Sequence, residues 1–252
     1  VGAHVDWQSA NGSGIKAAPD VKLDYTFADT YVAYLHATGG TRLNDFRQQN
    51  EESPYWGVIN QMRTSYTPAD LQVGFKASPL PGLGFHLFGG YRVTKDEIFH
   101  LPGITDTDFP YCYSLLMQEK AKVGYGGIKA AYGYKDIFDF SVGGTYYGWN
   151  VKDEAKVLLY LKPEFVLDAS ARAKVYDEFW ISAAYRYEGR VKAGELEKAD
   201  AINNLSLSAG YEFFNSLNVF VRFNNLLNQD YITEAGYPVQ GFNAMAGVSF
   251  RF

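Results

Sequence analysis

Phe242-Asn243-Ala244-Met245-Ala246-Gly247-Val248-Ser249-Phe250-Arg251-Phe252 closes the chain and decides the fold. Phe242, Ala244, Ala246, Val248, Phe250 and Phe252 share one parity, and Asn243, Met245, Gly247, Ser249 and Arg251 share the other. Successive side chains of an extended chain point to opposite faces. The segment is therefore a strand with one apolar face and one polar face. Two arrangements produce that pattern. One is a half-buried strand of a soluble sheet. The other is a strand whose apolar face meets lipid while its polar face lines a lumen.

The same alternation recurs upstream. Leu217, Val219, Val221 and Phe223 oppose Asn218, Arg222 and Asn224, and Phe165, Leu167, Ala169 and Ala171 oppose Glu164, Asp168, Ser170 and Arg172. Comparable runs extend back to Val1–Trp7, so about twelve strands are expected. Lys120 to Tyr134 alternates with a phase slip at Gly126-Gly127, which predicts a bulge there.

The connections separate the two arrangements. Ala28-Asp29-Thr30, Lys135-Asp136-Ile137, Tyr176-Asp177-Glu178, Asn215-Ser216 and Ser78 to Gly82 are short. Between them lie long connections: Leu43 to Ala69, Lys95 to Glu119, Asn150 to Lys162, Gly189 to Asn203 and Asn225 to Gly241. Short turns at one end and long loops at the other is the layout of an outer-membrane barrel. The strands also reach the ~9–11 residues that cross a bilayer at a tilt, whereas soluble strands average about 5–6. Trp7, Phe27, Tyr31, Phe138, Phe179, Tyr187, Phe213 and Phe252 sit at strand ends, as in an interfacial aromatic girdle. The expected fold is all-β: an antiparallel up-and-down transmembrane β-barrel of about twelve strands with short periplasmic turns and long extracellular loops. It places the chain in the outer membrane of a Gram-negative bacterium, against outer-membrane lipid. Residues 1–252 form one barrel domain, or the C-terminal part of a larger barrel. Phe252 falls at the short-turn end, and counting strands back puts Val1 there too.

Composition agrees. Of 252 residues 17% are aromatic, yet the mean hydropathy is -0.22, as alternation requires. No window reaches the ~18 apolar residues of a membrane helix. The net charge of -5 argues against a nucleic-acid partner. Cys112 is the single cysteine, so no internal disulfide forms. Val1 opens directly in a strand pattern with no signal peptide, as in a mature secreted protein or a fragment of a longer one.

Candidate functional residues fall in two places. Tyr55 and Trp56, with Tyr111 and Tyr113 around Cys112, lie in the two longest extracellular loops. Aromatics at a barrel mouth stack on a sugar or chelate ligand, or they peg a self-packed loop. His36, His86 and Arg92 take lumen parity, either as ligand contacts or as ordinary polar filling of the wall. The inward charges have mixed sign and are placed to pair across strands. No H-x-x-x-H or C-x-x-C spacing points to a metal, no nucleophile motif points to an enzyme, and no cofactor is expected.

The C-terminal third resembles a known family. Asn224-Asn225-Leu226-Leu227-Asn228-Gln229-Asp230-Tyr231, then Gly236-Tyr237-Pro238, then a closing strand with a terminal aromatic, is similar to the ending of TonB-dependent outer-membrane receptors. Leu227 and Asn228 replace the usual Phe and Asp of that ending. Upstream, Pro19 to Phe27 and Tyr31 to Thr41 resemble a mid-barrel stretch of the same family. The resemblance implies uptake of a scarce nutrient, a siderophore, cobalamin or glycan. It also implies a small-molecule or oligosaccharide ligand bound by loops and a plug domain within a barrel of about 22 strands. A TonB complex is implied as partner only if a plug domain precedes Val1. The alternative is a self-contained twelve-stranded passive pore or structural barrel.

Overall fold

The computed structural model describes residues 1–9, 14–56, 62–104, 112–214, 216–234 and 237–251. Phe252 and Tyr111 lie outside them, as do the side chain of Tyr113 and the Asn215 turn position. Along the chain run β1 (Gly2–Gln8), β2 (Gly14–Phe27), β3 (Tyr31–Arg42), α1 (Phe46–Glu52), β4 (Ser65–Leu80), β5 (Leu83–Ile104), β6 (Cys112–Tyr134) and β7 (Phe138–Asn150). A 3-10 helix (Asp153–Leu159) follows, then β8 (Pro163–Lys174), β9 (Phe179–Arg190), β10 (Ile202–Phe213), β11 (Leu217–Asn224), β12 (Ile232–Glu234), β13 (Tyr237–Pro238) and β14 (Asn243–Phe250). Twelve strands form one sheet in the order β1 to β11 and then β14, each antiparallel to its neighbours. Among the described residues no ladder joins β1 to β14. β12 and β13 form a separate ribbon within the last long connection.

The two faces divide as the alternation demands. Leu23, Val73, Leu87, Ile128 and Val248 are each more than half exposed on the apolar face. A continuous exposed belt of this kind is far larger than water-soluble surfaces carry, and its natural solvent is lipid. At the short-turn end Tyr25, Phe27, Tyr31 and Phe75 stack with ring centroids 5.6 to 6.0 Å apart, forming part of an aromatic girdle. The short turns use left-handed backbone at Ala28 (φ 48°) and Asp29 (φ 57°), which matches the twist of a tight hairpin. At Gly82 a Cβ would meet the Gly133 carbonyl oxygen, so only glycine fits.

Three features depart from the sequence reading. β5 and β6 continue through much of the expected 95–119 loop, with Glu97 to Ile104 paired against Cys112 to Glu119. Ile98 and Phe99 are consecutive and both buried, so alternation vanishes where both faces are covered. The bulge falls between Thr94 and Glu97, where Asp96 has φ 55°, and not at Gly126-Gly127, whose ladders run unbroken on both sides. The apparent slip arises because the Phe88 ring on β5 lies over Gly127 of β6, which then needs no side chain of its own. Tyr34 covers Gly74 and Trp180 covers Gly210 in the same manner. Finally, Gly2 pairs with Asp20, partway along β2, so β1 enters the sheet above the short-turn end where Val1 was expected.

Candidate functional site

The buried core of the molecule lies over one end of the sheet, among the long connections. Phe99, Ala121, Ala155, Leu158, Leu159 and Ala193 form one apolar cluster; Met62, Ile98 and Leu116 form a second, and Leu161 with Ala199 a third. These residues come from the β5–β6 extension, the 3-10 helix and the connections before β4, β8 and β10. The long loops are thus self-packed into a roof at that end of the sheet.

Charged groups are threaded through this roof. The Lys162 ammonium donates to the Ile98 carbonyl at 3.3 Å and lies 4.9 Å from the Phe99 ring and 5.3 Å from the Trp149 ring. Burial pushes its pKa down, with Glu97 and Glu52 pulling the other way. His100 on the β5 extension approaches Glu234 of β12 at 3.4 Å, and neither facing atom has a hydrogen-bond partner. Burial holds the His100 imidazole below its ordinary value against the opposing pull of Glu234. Arg190 donates to Glu188 at 2.6 Å and to the Ile232 carbonyl at 2.9 Å, tying β9 to the last connection.

The mouth aromatics are built into this packing. Tyr55 stacks on Tyr237 with ring centroids 3.7 Å apart, and its carbonyl accepts the Ser114 N–H at 2.8 Å. Trp56 packs edge-on against Phe46 at 5.6 Å and against the Met62–Ile98–Leu116 cluster. Tyr113 pairs through its backbone with Gly103. Tyr55 and Trp56 are therefore packed within the loops, and Tyr55 remains 44% exposed.

The lumen residues form a different group. His36 and His86 both face Tyr34, with ring centroids 4.6 and 5.7 Å away, and the Tyr34 hydroxyl is 2.8 Å from His86 Nε2. His36 Nε2 contacts Asp24 Oδ1 at 3.2 Å. Arg92 lies opposite Asp70, whose carboxylate accepts from Tyr125 at 2.9 Å. The expected charge pairing is seen on β8 and β9, where Arg186 bridges Asp168 at 2.9 Å and Glu188 at 2.7 Å. The Tyr55–Trp56 pair and the His36, His86 and Arg92 group share no contact among the described residues.

His100, Glu234 and Lys162 were not foreseen, because nothing in the sequence marks a residue that loops will bury. Tyr34 was legible: it stands two positions from His36, on the same strand face. Among the described residues no group of three His, Cys, Asp or Glu is placed to hold a metal.

This architecture matches solved outer-membrane proteins. The chain aligns with the copper transporter OprC at a TM-score of 0.66 and 16% identity, over 96% of this chain and 42% of that one. It aligns with the ferric-catecholate import receptor Fiu from E. coli K12 at 0.66 and 14%, over 96% of this chain and 36% of that one. With the pyoverdine outer membrane receptor FpvA from Pseudomonas aeruginosa PAO1 the values are 0.64 and 18%, over 94% and 36%. The chain spans less than half the length of each. No protein-family model matches it, and no curated protein matches it. The likeness fixes the class of fold, the strand wall of an outer-membrane β-barrel.

Proposed function

We propose that the chain is the barrel portion of a TonB-dependent receptor that imports a scarce nutrient across the outer membrane of a Gram-negative bacterium. The observation that carries this reading is the roof. A passive pore works through an open lumen, whereas the long connections here pack into a buried core at one end of the sheet, which supports a loop cover over the mouth of the complete barrel. A roofed mouth suits capture of a specific ligand and its release inward on demand. The names of the similar structures, which speak of copper, ferric catecholate and pyoverdine, support a metal chelate as one ligand class. Tyr55, Trp56, Tyr111 and Tyr113 are proposed to meet the ligand at the mouth, and His36, His86 and Arg92 to line its path. Residues 1–252 act as the C-terminal part of a larger barrel, in keeping with their share of the matched chains. The TonB complex then acts on a plug domain upstream. No enzymatic role is assigned.

The intact mass of the native polypeptide, extracted from membranes with detergent, tests this. A mass two to three times that of 252 residues is expected. A mass near that of 252 residues, with steady conductance in planar bilayers, would instead establish a self-contained passive pore.

A further inference from the structure

A small pocket opens at the roof end of the sheet, beside β1. It has a volume of about 320 Å³ and is lined by Trp7 and Gln8 of β1 with the following Ser9, by Leu43, Asn44 and Asp45 after β3, and by Met62 and Thr64 before β4. That volume lies at the small end of ligand sites (~300–1,000 Å³). Its distinguishing property is a set of unmet hydrogen bonds. Gln8 Oε1, Asn44 Oδ1 and Thr64 Oγ1 are buried without a partner among the described residues, and all three residues line this one pocket. Asn44 is 5% exposed and Thr64 8%. A polar atom buried without a partner forfeits its hydrogen bonds to water with nothing in return. Three in one pocket point to a ligand that supplies the missing partners.

The surroundings are braced for the task. The Asn44 amide nitrogen donates to the Arg63 carbonyl at 2.6 Å and to Ser65 Oγ at 2.9 Å, which fixes the amide and leaves its oxygen free. Gln49 donates to the Asn44 carbonyl at 2.8 Å, and Asp45 caps α1 by accepting the Gln48 N–H at 2.9 Å. The oxygens of Gln8 and Asn44 only accept, and that of Thr64 both donates and accepts. The occupant must therefore bring donors. Among the described residues no basic side chain lines the pocket and the Asp45 carboxylate does, so an anion is disfavoured. Trp7, 74% exposed, with Leu43 and Met62 supplies an apolar wall. Hydroxyl donors on a ring with an apolar C–H face describe a sugar.

We propose that this pocket is a binding subsite for a neutral pyranose. The assignment deepens the import reading by naming a ligand class. It rests on that reading for the fate of the sugar and not for its binding. The test uses the full chain in an amine-oxide detergent, which carries no sugar headgroup. Glucose, galactose, mannose and N-acetylglucosamine are titrated at millimolar concentration, with saturation-transfer NMR and tryptophan fluorescence as readouts. At least one is expected to bind. Thr64→Val and Gln8→Met each weaken that sugar about tenfold, the worth of one such hydrogen bond. Both variants keep the melting temperature, because the deleted atoms have no partner in the unliganded protein. The proposal is overturned if no sugar binds, if both variants bind as the parent does, or if calcium chloride alone occupies the pocket. Sugar binding together with a native intact mass near that of 252 residues would count against the import reading and leave the subsite standing.

Discussion

The residues that carry the family resemblance are structural. Asn225, 2% exposed, sits at φ 48°. Its carboxamide donates to the carbonyls of Gln229 at 3.0 Å and Gln240 at 3.2 Å and accepts the Gln229 N–H at 3.1 Å. Gln229 in turn accepts from Asn203 N–H at 2.8 Å and donates to the Ala201 carbonyl at 3.1 Å, and Asn228 accepts the Phe242 N–H at 2.8 Å. This run latches the last long connection onto β10 and β14. Asn225→Ala is expected to cost about 2–3 kcal/mol through stranded partners and about 1 more through left-handed backbone. Asn225→Gly should recover only the second part, and urea midpoints in lipid vesicles separate the two. Where Trp180 covers Gly210, an added Cβ would lie 2.5 Å from the indole. Gly210→Ala should push the ring aside, red-shift tryptophan emission and cost about 1–3 kcal/mol, as overpacking does. A Gly210→Ala spectrum identical to the parent would refute that close approach.

At the scale of elements, the β5–β6 extension and the β12 connection meet at His100 and Glu234. The folded pKa of His100 lies below its unfolded value of about 6.5. The open state therefore binds more protons, and the roof is weakened as pH falls through that value toward the folded pKa, with full stability above it. Hydrogen exchange of the 225–241 connection should accelerate between neutral and mildly acidic pH. His100→Gln should remove most of that dependence while Lys162 and Glu52 stay in place, and unchanged exchange in the parent would count against it. This contact illustrates what the sequence hides. The membrane-level strands were legible because one solvent face and one lipid face impose a period of two. The β5–β6 extension was read as a loop because Ile98 and Phe99 are buried on opposite faces. His36, His86 and Arg92 share one face of the sheet, as their parity and the strand register require. Their Tyr34 and Asp70 partners depend on register between strands, which no single strand encodes.

Across the whole molecule, the exposed apolar belt makes lipid part of the folding equilibrium. Val73, 54% exposed near the middle of β4, should tell the two solvents apart. Val73→Arg is expected to cost about 2–4 kcal/mol in a bilayer. Ser170→Arg on the polar face should change stability by no more than about 0.5 kcal/mol. Folding yields into vesicles, read from heat-modifiable gel mobility, compare them, and equal yields would contradict the lipid-facing assignment. The up-and-down order has a kinetic corollary. Every ladder of the main sheet except the last joins strands adjacent along the chain. Short-range closure is entropically cheap, so such a sheet can zip hairpin by hairpin without threading. The longest ladder, between β5 and β6, runs from the short-turn end of the sheet into the roof and joins strands only seven residues apart in the chain. It is the natural nucleus, and pulse-labelled amides there should gain protection before those of β1 and β2, so that the wall grows outward from its centre.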